Sequence, residues 1–386
     1  MKILTVLTYY RPHTSGLTIY AERLTRAFAR RGHEVTVLTS RFDPDSPLEE
    51  RRDGVRILRA PVLTRFNKGV IMPTIGLLAT REVLGHDVIL LHLPQFDAAG
   101  ISLRGRLLKK PTVVAYHSDL LLPPGLFNRF VNFVVDRANR LTAQLTHRIT
   151  AYTDDFAQSS PYLLSYAHKC VTLTPPVKLD PPDPAEVDAF RKRHNPEARR
   201  VIGMATRFAS EKGIEILLKA FREIAGHYPE TKILFAGQYE GVWGEEDYIA
   251  RLLPEIRRLE TEGRWEFLGV LDLDEMPAFY SNLDLLVVPS LNSTETFGFV
   301  QIEAMMNGVP VVASELPGVR VPIGMTGMGE IVPKGDPGAL AGAICRIFED
   351  PGAYTGGGLD LRAEFSPDRA AEKYERLFAE IRRELE

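Results

Sequence analysis

Glu295-Thr-Phe-Gly298-Phe-Val-Gln-Ile-Glu303-Ala-Met-Met-Asn-Gly308-Val-Pro310-Val-Val-Ala313 is the stretch on which the reading of this chain turns. It follows an apolar run, Leu283–Pro289, and its order is strand, loop, glycine, helix, Gly-x-Pro, strand. Gly298 marks the helix start, and Gly308 with Pro310 stops it before a β-branched strand over 309–313. A buried strand feeding a helix and then a second buried strand is the unit of a parallel sheet covered on both faces.

The same alternation extends to both sides. Upstream, strands are expected at 201–205, 232–236 and 265–268, with helices at 214–225 and 247–260. Downstream, 330–332 is a strand, and 367–385 reads as a charged amphipathic helix opening on Ser366-Pro367-Asp368. The amino-terminal half repeats the pattern, with strands at 2–8, 34–39, 55–60, 87–92, 112–117 and 148–151 and a helix at 18–31. Between the halves, Pro175-Pro176-Val-Lys-Leu-Asp-Pro181-Pro182-Asp-Pro184 can neither complete a ladder nor propagate a helix, and reads as a linker. The expected fold is therefore α/β, two Rossmann-like doubly wound parallel-sheet domains facing a cleft. The expected bounds are 1–178, 179–365, and a final helix, 366–386, packing back on the first domain. Ligands of such sheets bind at the carboxyl ends of the strands.

Composition agrees with two globular domains: 386 residues, 45% hydrophobic and 25% charged. Cys170 and Cys345 are far apart in sequence, which argues against a disulfide framework or a cysteine zinc site and for a reducing cytosol. No run reaches the ~18 apolar residues a spanning helix needs. Residues 1–180 hold 24 Lys/Arg against 15 Asp/Glu, while 181–386 hold 23 against 35, an asymmetry that suits equally an anionic partner for the first half and two domains that merely differ in composition. The balanced total, −3, and the absence of a nucleic-acid motif argue against nucleic acid.

The chemistry sits in four segments. Gly298, Phe299 and Val300 open a helix whose first N–H groups suit an anion. Glu303, further along that helix, suits a vicinal diol such as ribose, and Glu295 lies in the loop before it. Thr206-Arg207-Phe-Ala-Ser-Glu-Lys212-Gly213 follows a strand and precedes a helix. Its planar guanidinium and its point-charge ammonium together suit a diphosphate. Taken alone, each of these charges reads more readily as a solvated surface group.

Together the segments resemble the retaining glycosyltransferases of the GT-B fold, family 4. Glu295 and Glu303 carry the E-x7-E signature, Arg207 and Lys212 the basic pair, and 308–313 the Gly-x-Pro strand. Tyr9 to Gly16, followed by the helix containing Glu22, resembles the family's amino-terminal phosphate loop, with Leu17 where a second glycine is usual. Val114-Ala-Tyr-His117-Ser-Asp119 resembles its cleft histidine strand.

The resemblance implies transfer of a hexosyl group from a UDP- or GDP-sugar to an acceptor hydroxyl, in glycolipid, envelope polysaccharide or glycoconjugate synthesis, with no cofactor and no divalent metal. Arg207 and Lys212 would hold the diphosphate and Glu303 the ribose. Glu295, Phe297 and Gly298 would hold the donor sugar, with Phe299 beside them. Gly16 would close the phosphate site, and His117 would meet the sugar near the reacting carbon. Gly237, Gly269 and Val270 would meet the base, and residues 66–69 and 118–130 the acceptor. Epimerase, phosphorylase and non-catalytic sensor readings stay open on the same scaffold.

Two further features read in two ways. Asp272-Leu-Asp274 could be a metal motif, but capping of the following helix is the simpler expectation. Arg104, Arg106, Lys109 and Lys110, with Leu107 and Leu108, form a basic–apolar patch that suits either snorkelling cations or contact with an anionic membrane or lipid-linked acceptor. The expected location is the cytoplasm, peripheral on the inner membrane face if that patch docks.

Overall fold

The computed structural model describes residues 1–66, 69–119 and 126–386. The chain divides into two compact units, Met1–Val177 with Ala363–Glu386, and Lys178–Arg362.

The first unit is built on ten strands: β1 (Lys2–Val6), β2 (Glu34–Arg41), β3 (Glu49–Arg52), β4 (Val55–Pro61), β5 (Thr64–Phe66), β6 (Gly69–Ile71), β7 (Val88–Leu93), β8 (Thr112–Tyr116), β9 (Arg148–Ala151) and β10 (Cys170–Thr172). Eight of them form one sheet in the order β10-β9-β8-β7-β1-β2-β4-β3, while β5 and β6 pair apart as a two-stranded ribbon. Every neighbouring pair of the large sheet is parallel except β3 on β4. The interior strands are mostly buried, and β7, Val-Ile-Leu-Leu-His-Leu, is buried at every residue.

Strand order reverses between β1 and β7, so the loops after these two strands diverge and leave a crevice at their carboxyl ends. The helix Gly16–Arg30 follows β1, its first turn capped by Ser15, whose hydroxyl accepts from the Thr18 N–H. The carboxyl-terminal helix Pro367–Leu385 packs on it. The Tyr374 hydroxyl lies 2.8 Å from that of Tyr20 and 2.7 Å from that of Thr150, and Arg31 and His33 both bond Glu375.

The second unit has six strands: β11 (Arg200–Ala205), β12 (Thr231–Ala236), β13 (Trp265–Gly269), β14 (Leu285–Val288), β15 (Val311–Ser314) and β16 (Gly329–Val332). All are parallel, in the order β13-β12-β11-β14-β15-β16. Here the order reverses between β11 and β14. The helices Ile214–His227 and Pro337–Glu349 contribute Ile214, Leu217, Phe221, Ile344 and Ile347 to the core on one face.

Three local expectations differ. Pro184 lies inside the expected linker but opens a helix, Pro184–His194, because Asp183 caps it and proline is preorganised for the first helical position. The short helix Met276–Ser281 has no side-chain cap. Instead the Asp272 N–H donates to the Glu275 carboxylate at 2.9 Å, so the capping role expected of Asp272 and Asp274 is not realised. Arg104 is not part of an outward basic patch. Its guanidinium folds back onto Thr80 Oγ1 and the Gly100 carbonyl, both at 2.7 Å, leaving Arg106, Lys109 and the exposed Leu107 outside.

Candidate functional site

In the second unit, the sequence between β11 and the next helix must turn sharply while staying close to the sheet. Gly213 makes this possible. It sits at φ +72°, and a Cβ there would lie 2.1 Å from the Pro289 carbonyl oxygen at the end of β14. Gly237, after β12, is at φ +142°, and a Cβ would lie 1.9 Å from the Thr206 carbonyl oxygen. Backbone bonds then lace the loops together. The Gly237 N–H donates to the Gly269 carbonyl at 2.6 Å, the Phe208 N–H to Gln238 at 2.7 Å, and the Leu291 N–H to Glu211 at 2.8 Å.

These loops carry the predicted charges to the switch point. Lys212, in the loop after β11, donates to Glu295 Oε2, in the loop after β14, at 2.8 Å, with both side chains mostly buried. The pair thus bridges the two strands between which the order reverses. Arg207 pairs with Glu211, four residues on. Each predicted cation therefore holds a carboxylate, and Glu211 was not anticipated.

Glu303 lies on the helix Phe299–Met305, almost fully buried, and its Oε2 accepts from the Tyr280 hydroxyl at 2.9 Å. That phenol helps to fix the orientation of the carboxylate. Gly298 caps this helix in the left-handed region at φ +76°. The helix has seven residues, so its dipole is small. Gln301, buried and also not anticipated, donates from Nε2 to the Phe297 carbonyl at 2.7 Å and to Val319 at 2.9 Å, pinning the loop that carries Glu295, Phe297 and Gly298. Phe297 is buried, with Phe299 beside it at 6.0 Å between ring centres. Gly269 ends β13 in the left-handed region, and Val270 next to it is 62% exposed.

In the first unit, Gly16 is the first residue of its helix and follows the loop after β1. His117, just beyond β8, is buried. Its Nε2 lies 2.8 Å from His92 Nδ1, its Nδ1 bonds the Tyr152 hydroxyl, and the Tyr20 ring meets it edge-on at 4.9 Å. Both ring nitrogens are thus engaged within the unit, where the family resemblance implied a ring meeting the donor sugar. Burial pushes His92 down to about 3, and burial with the neighbouring His92 holds His117 well below the ordinary histidine range, so both rings are neutral. Nearby, Asp119 accepts from the Tyr116 and Ser160 hydroxyls at 2.7 and 2.8 Å. Of the acceptor-side candidates, residues 67–68 and 120–125 lie outside the described residues.

Among the described residues no group of three or more metal-ligating side chains gathers, and no helix is long and apolar enough to cross a membrane.

Residues 186–367 match the family of glycosyl transferases group 1, and residues 15–173 match the glycosyl transferase 4-like domain. Each half of the chain thus matches the model of a glycosyl transferase domain. A 2-deoxystreptamine glucosyltransferase of Streptomyces kanamyceticus is 28% identical over 85% of this chain and 88% of its own length. Among solved structures, a sucrose-phosphate synthase from Thermosynechococcus elongatus matches 98% of both chains with a TM-score of 0.76 at 21% identity. HepE of Anabaena in complex with UDP and glucose matches 98% of this chain and 100% of its own at 0.75 and 18% identity. The chain has the GT-B fold.

Proposed function

We propose that this glycosyltransferase moves a hexosyl group from a nucleotide diphosphate sugar to an acceptor hydroxyl with retention at the anomeric carbon, without a divalent metal. The observation that carries the reading is the Lys212–Glu295 pair bridging β11 and β14 at the switch point, with Arg207 in the same loop.

On donor binding the diphosphate takes Arg207 and Lys212 from Glu211 and Glu295. The two cations then stabilise the charge that grows on the leaving phosphate as the glycosyl C–O bond breaks, the electrostatic contribution that dominates many enzymes. They also supply the positive charge that a metal would otherwise bring. Glu295, released from Lys212, turns to the sugar hydroxyls, with Phe297 and Gly298 beside it. Glu303, oriented by Tyr280, accepts from the ribose hydroxyls, and Gly237, Gly269 and Val270 receive the base. The acceptor oxygen bonds the anomeric carbon on the face the phosphate leaves. Its proton passes to the departing phosphate oxygen, and nucleoside diphosphate is released. Gly16, and the neutral His117 set by His92 and Tyr152, are the first unit's candidates for the phosphates and the sugar.

HepE is described with UDP and glucose, which supports UDP-glucose as the first donor to test, with GDP-mannose as its counterpart. The test is incubation of the purified chain with a sugar-nucleotide panel and cyclitol or lipid-linked acceptors in EDTA. Release of nucleoside diphosphate, and an anomeric proton coupling in the product that matches the donor, are expected. Inverted product, or turnover only after metal is added, refutes the respective part.

A further inference from the structure

At the amino ends of β8 and β9, the opposite end of the sheet from His117, lies a pocket of about 560 Å3 that the transfer reaction does not use. His147 lines it and is 8% exposed. The Thr112 N–H donates to His147 Nδ1 at 3.1 Å, so Nδ1 carries no proton and the neutral ring is protonated at Nε2. That N–H has no hydrogen-bond partner, an uncommon state for a buried donor.

Four permanent cations, Arg106, Lys109, Arg148 and Lys169, line the same pocket against one carboxylate, Glu384. Lys169 is spent on the carbonyls of Ala143, Gln144 and Thr146, at 3.0, 2.9 and 2.9 Å, where it closes the helix Leu126–Leu145. Arg148 is paired with Glu384. Arg106 and Lys109 are exposed and have no partner among the described residues. The cations are close enough to disturb one another: Arg106 and Arg148 both help to lower Lys169, and Arg106, Lys169 and Arg148 help to lower His147, in each case behind burial.

We propose that this pocket binds a phosphate group, held by the Arg106 guanidinium, the Lys109 ammonium and the His147 Nε2–H, with the Glu384 carboxylate occupying Arg148 until the anion arrives. The side chains of Arg106, Lys109 and His147 that lack a partner there all offer donors, and a phosphate supplies several acceptor oxygens with the charge to match. The exposed Leu107 beside Arg106 lets the phosphate be either free in solution or the headgroup of a phosphomonoester lipid.

The test follows the His147 side-chain nitrogens by NMR in the full chain. His147→Asn, whose amide oxygen can still accept from Thr112, identifies the signal. Titration with inorganic phosphate at constant ionic strength should shift it. Arg106→Gln should weaken that response about tenfold, as expected for one lost charge-assisted hydrogen bond, and Glu384→Gln should strengthen it several-fold. A second arm replaces free phosphate by phosphatidylcholine vesicles with and without phosphatidic acid, and a shift with only one probe names the source. No shift with either probe, an equal shift with chloride, or a response unchanged in Arg106→Gln overturns the proposal.

Discussion

Gly213→Ala tests how the second unit places its charges. The backbone there is at φ +72°, a conformation that costs a residue with a Cβ about 1–2 kcal/mol. The new Cβ would also lie 2.1 Å from the Pro289 carbonyl oxygen. Ordinary contact is over an ångström longer, so one of the two segments has to shift, at about 1–3 kcal/mol by analogy with overpacking. A less flexible unfolded chain returns about 0.4–1 kcal/mol. The expected net loss is about 2–4 kcal/mol.

The control is Gly226→Ala, near the far end of the same helix, where an added Cβ meets nothing within 4 Å. It should stabilise by about 0.5–1 kcal/mol. Both tryptophans, Trp243 and Trp265, belong to the second unit, so urea unfolding followed by tryptophan fluorescence reports on that unit. With a slope of about 2 kcal/mol per molar, the Gly213 variant should lose about 1–2 M in its midpoint. Because the displaced loop leads to Glu295, sugar-nucleotide binding should weaken with it. If Gly213→Ala unfolds within about 0.5 kcal/mol of the parent, or in step with the Gly226 control, the close approach does not constrain the loop.

Tyr280→Phe removes the phenol that orients Glu303. It should raise the donor Kd about tenfold with little change in kcat, and an unchanged Kd by calorimetry would detach Tyr280 from donor recognition. Acid should destabilise the first unit. His92 and His117 stay neutral when folded, whereas the unfolded chain takes up protons below about pH 6.5, so stability falls as pH drops, by up to about 1.4 kcal/mol per unit for each histidine. Asp97, pushed up to about 6 by burial, acts in the opposite sense as pH drops from 6 to about 4. His92→Asn should flatten the slope between pH 6.5 and 5, read by far-ultraviolet circular dichroism, and an identical slope counts against the buried pair. Tyr374→Phe deprives the buried hydroxyls of Tyr20 and Thr150 of their common partner and should cost about 1–3 kcal/mol by the same probe.

The most legible strands were those made almost wholly of apolar residues, such as β7 and β14, because burial on both faces leaves that mark. β3 was not legible: Glu-Glu-Arg-Arg at the sheet edge buries almost nothing and pairs antiparallel with β4, so no hydrophobic period announces it. Arg207, Lys212 and Glu295 stood out by type and by position at strand ends. Their paired state did not, because Lys212 and Glu295 are 83 residues apart and only the strand reversal joins them. Glu211 could have been noticed as the residue four positions after Arg207, a helical-spacing ion-pair signal. Tyr280 carried no signal toward Glu303, and His92, hidden in an apolar strand, read as core. That it is core and also bonds His117 is a property of adjacent parallel strands, set by the β7–β8 register of His92 on Ala115.

The most direct measurement is a calorimetric titration of the nucleoside diphosphate that binds, and of its monophosphate, into the parent chain and Lys212→Ala. If Lys212 meets the terminal phosphate of a diphosphate donor, diphosphate affinity falls tenfold or more while monophosphate affinity holds. If the variant binds both ligands as the parent does, or loses both equally, the loops that join at Lys212 and Glu295 are not a diphosphate site.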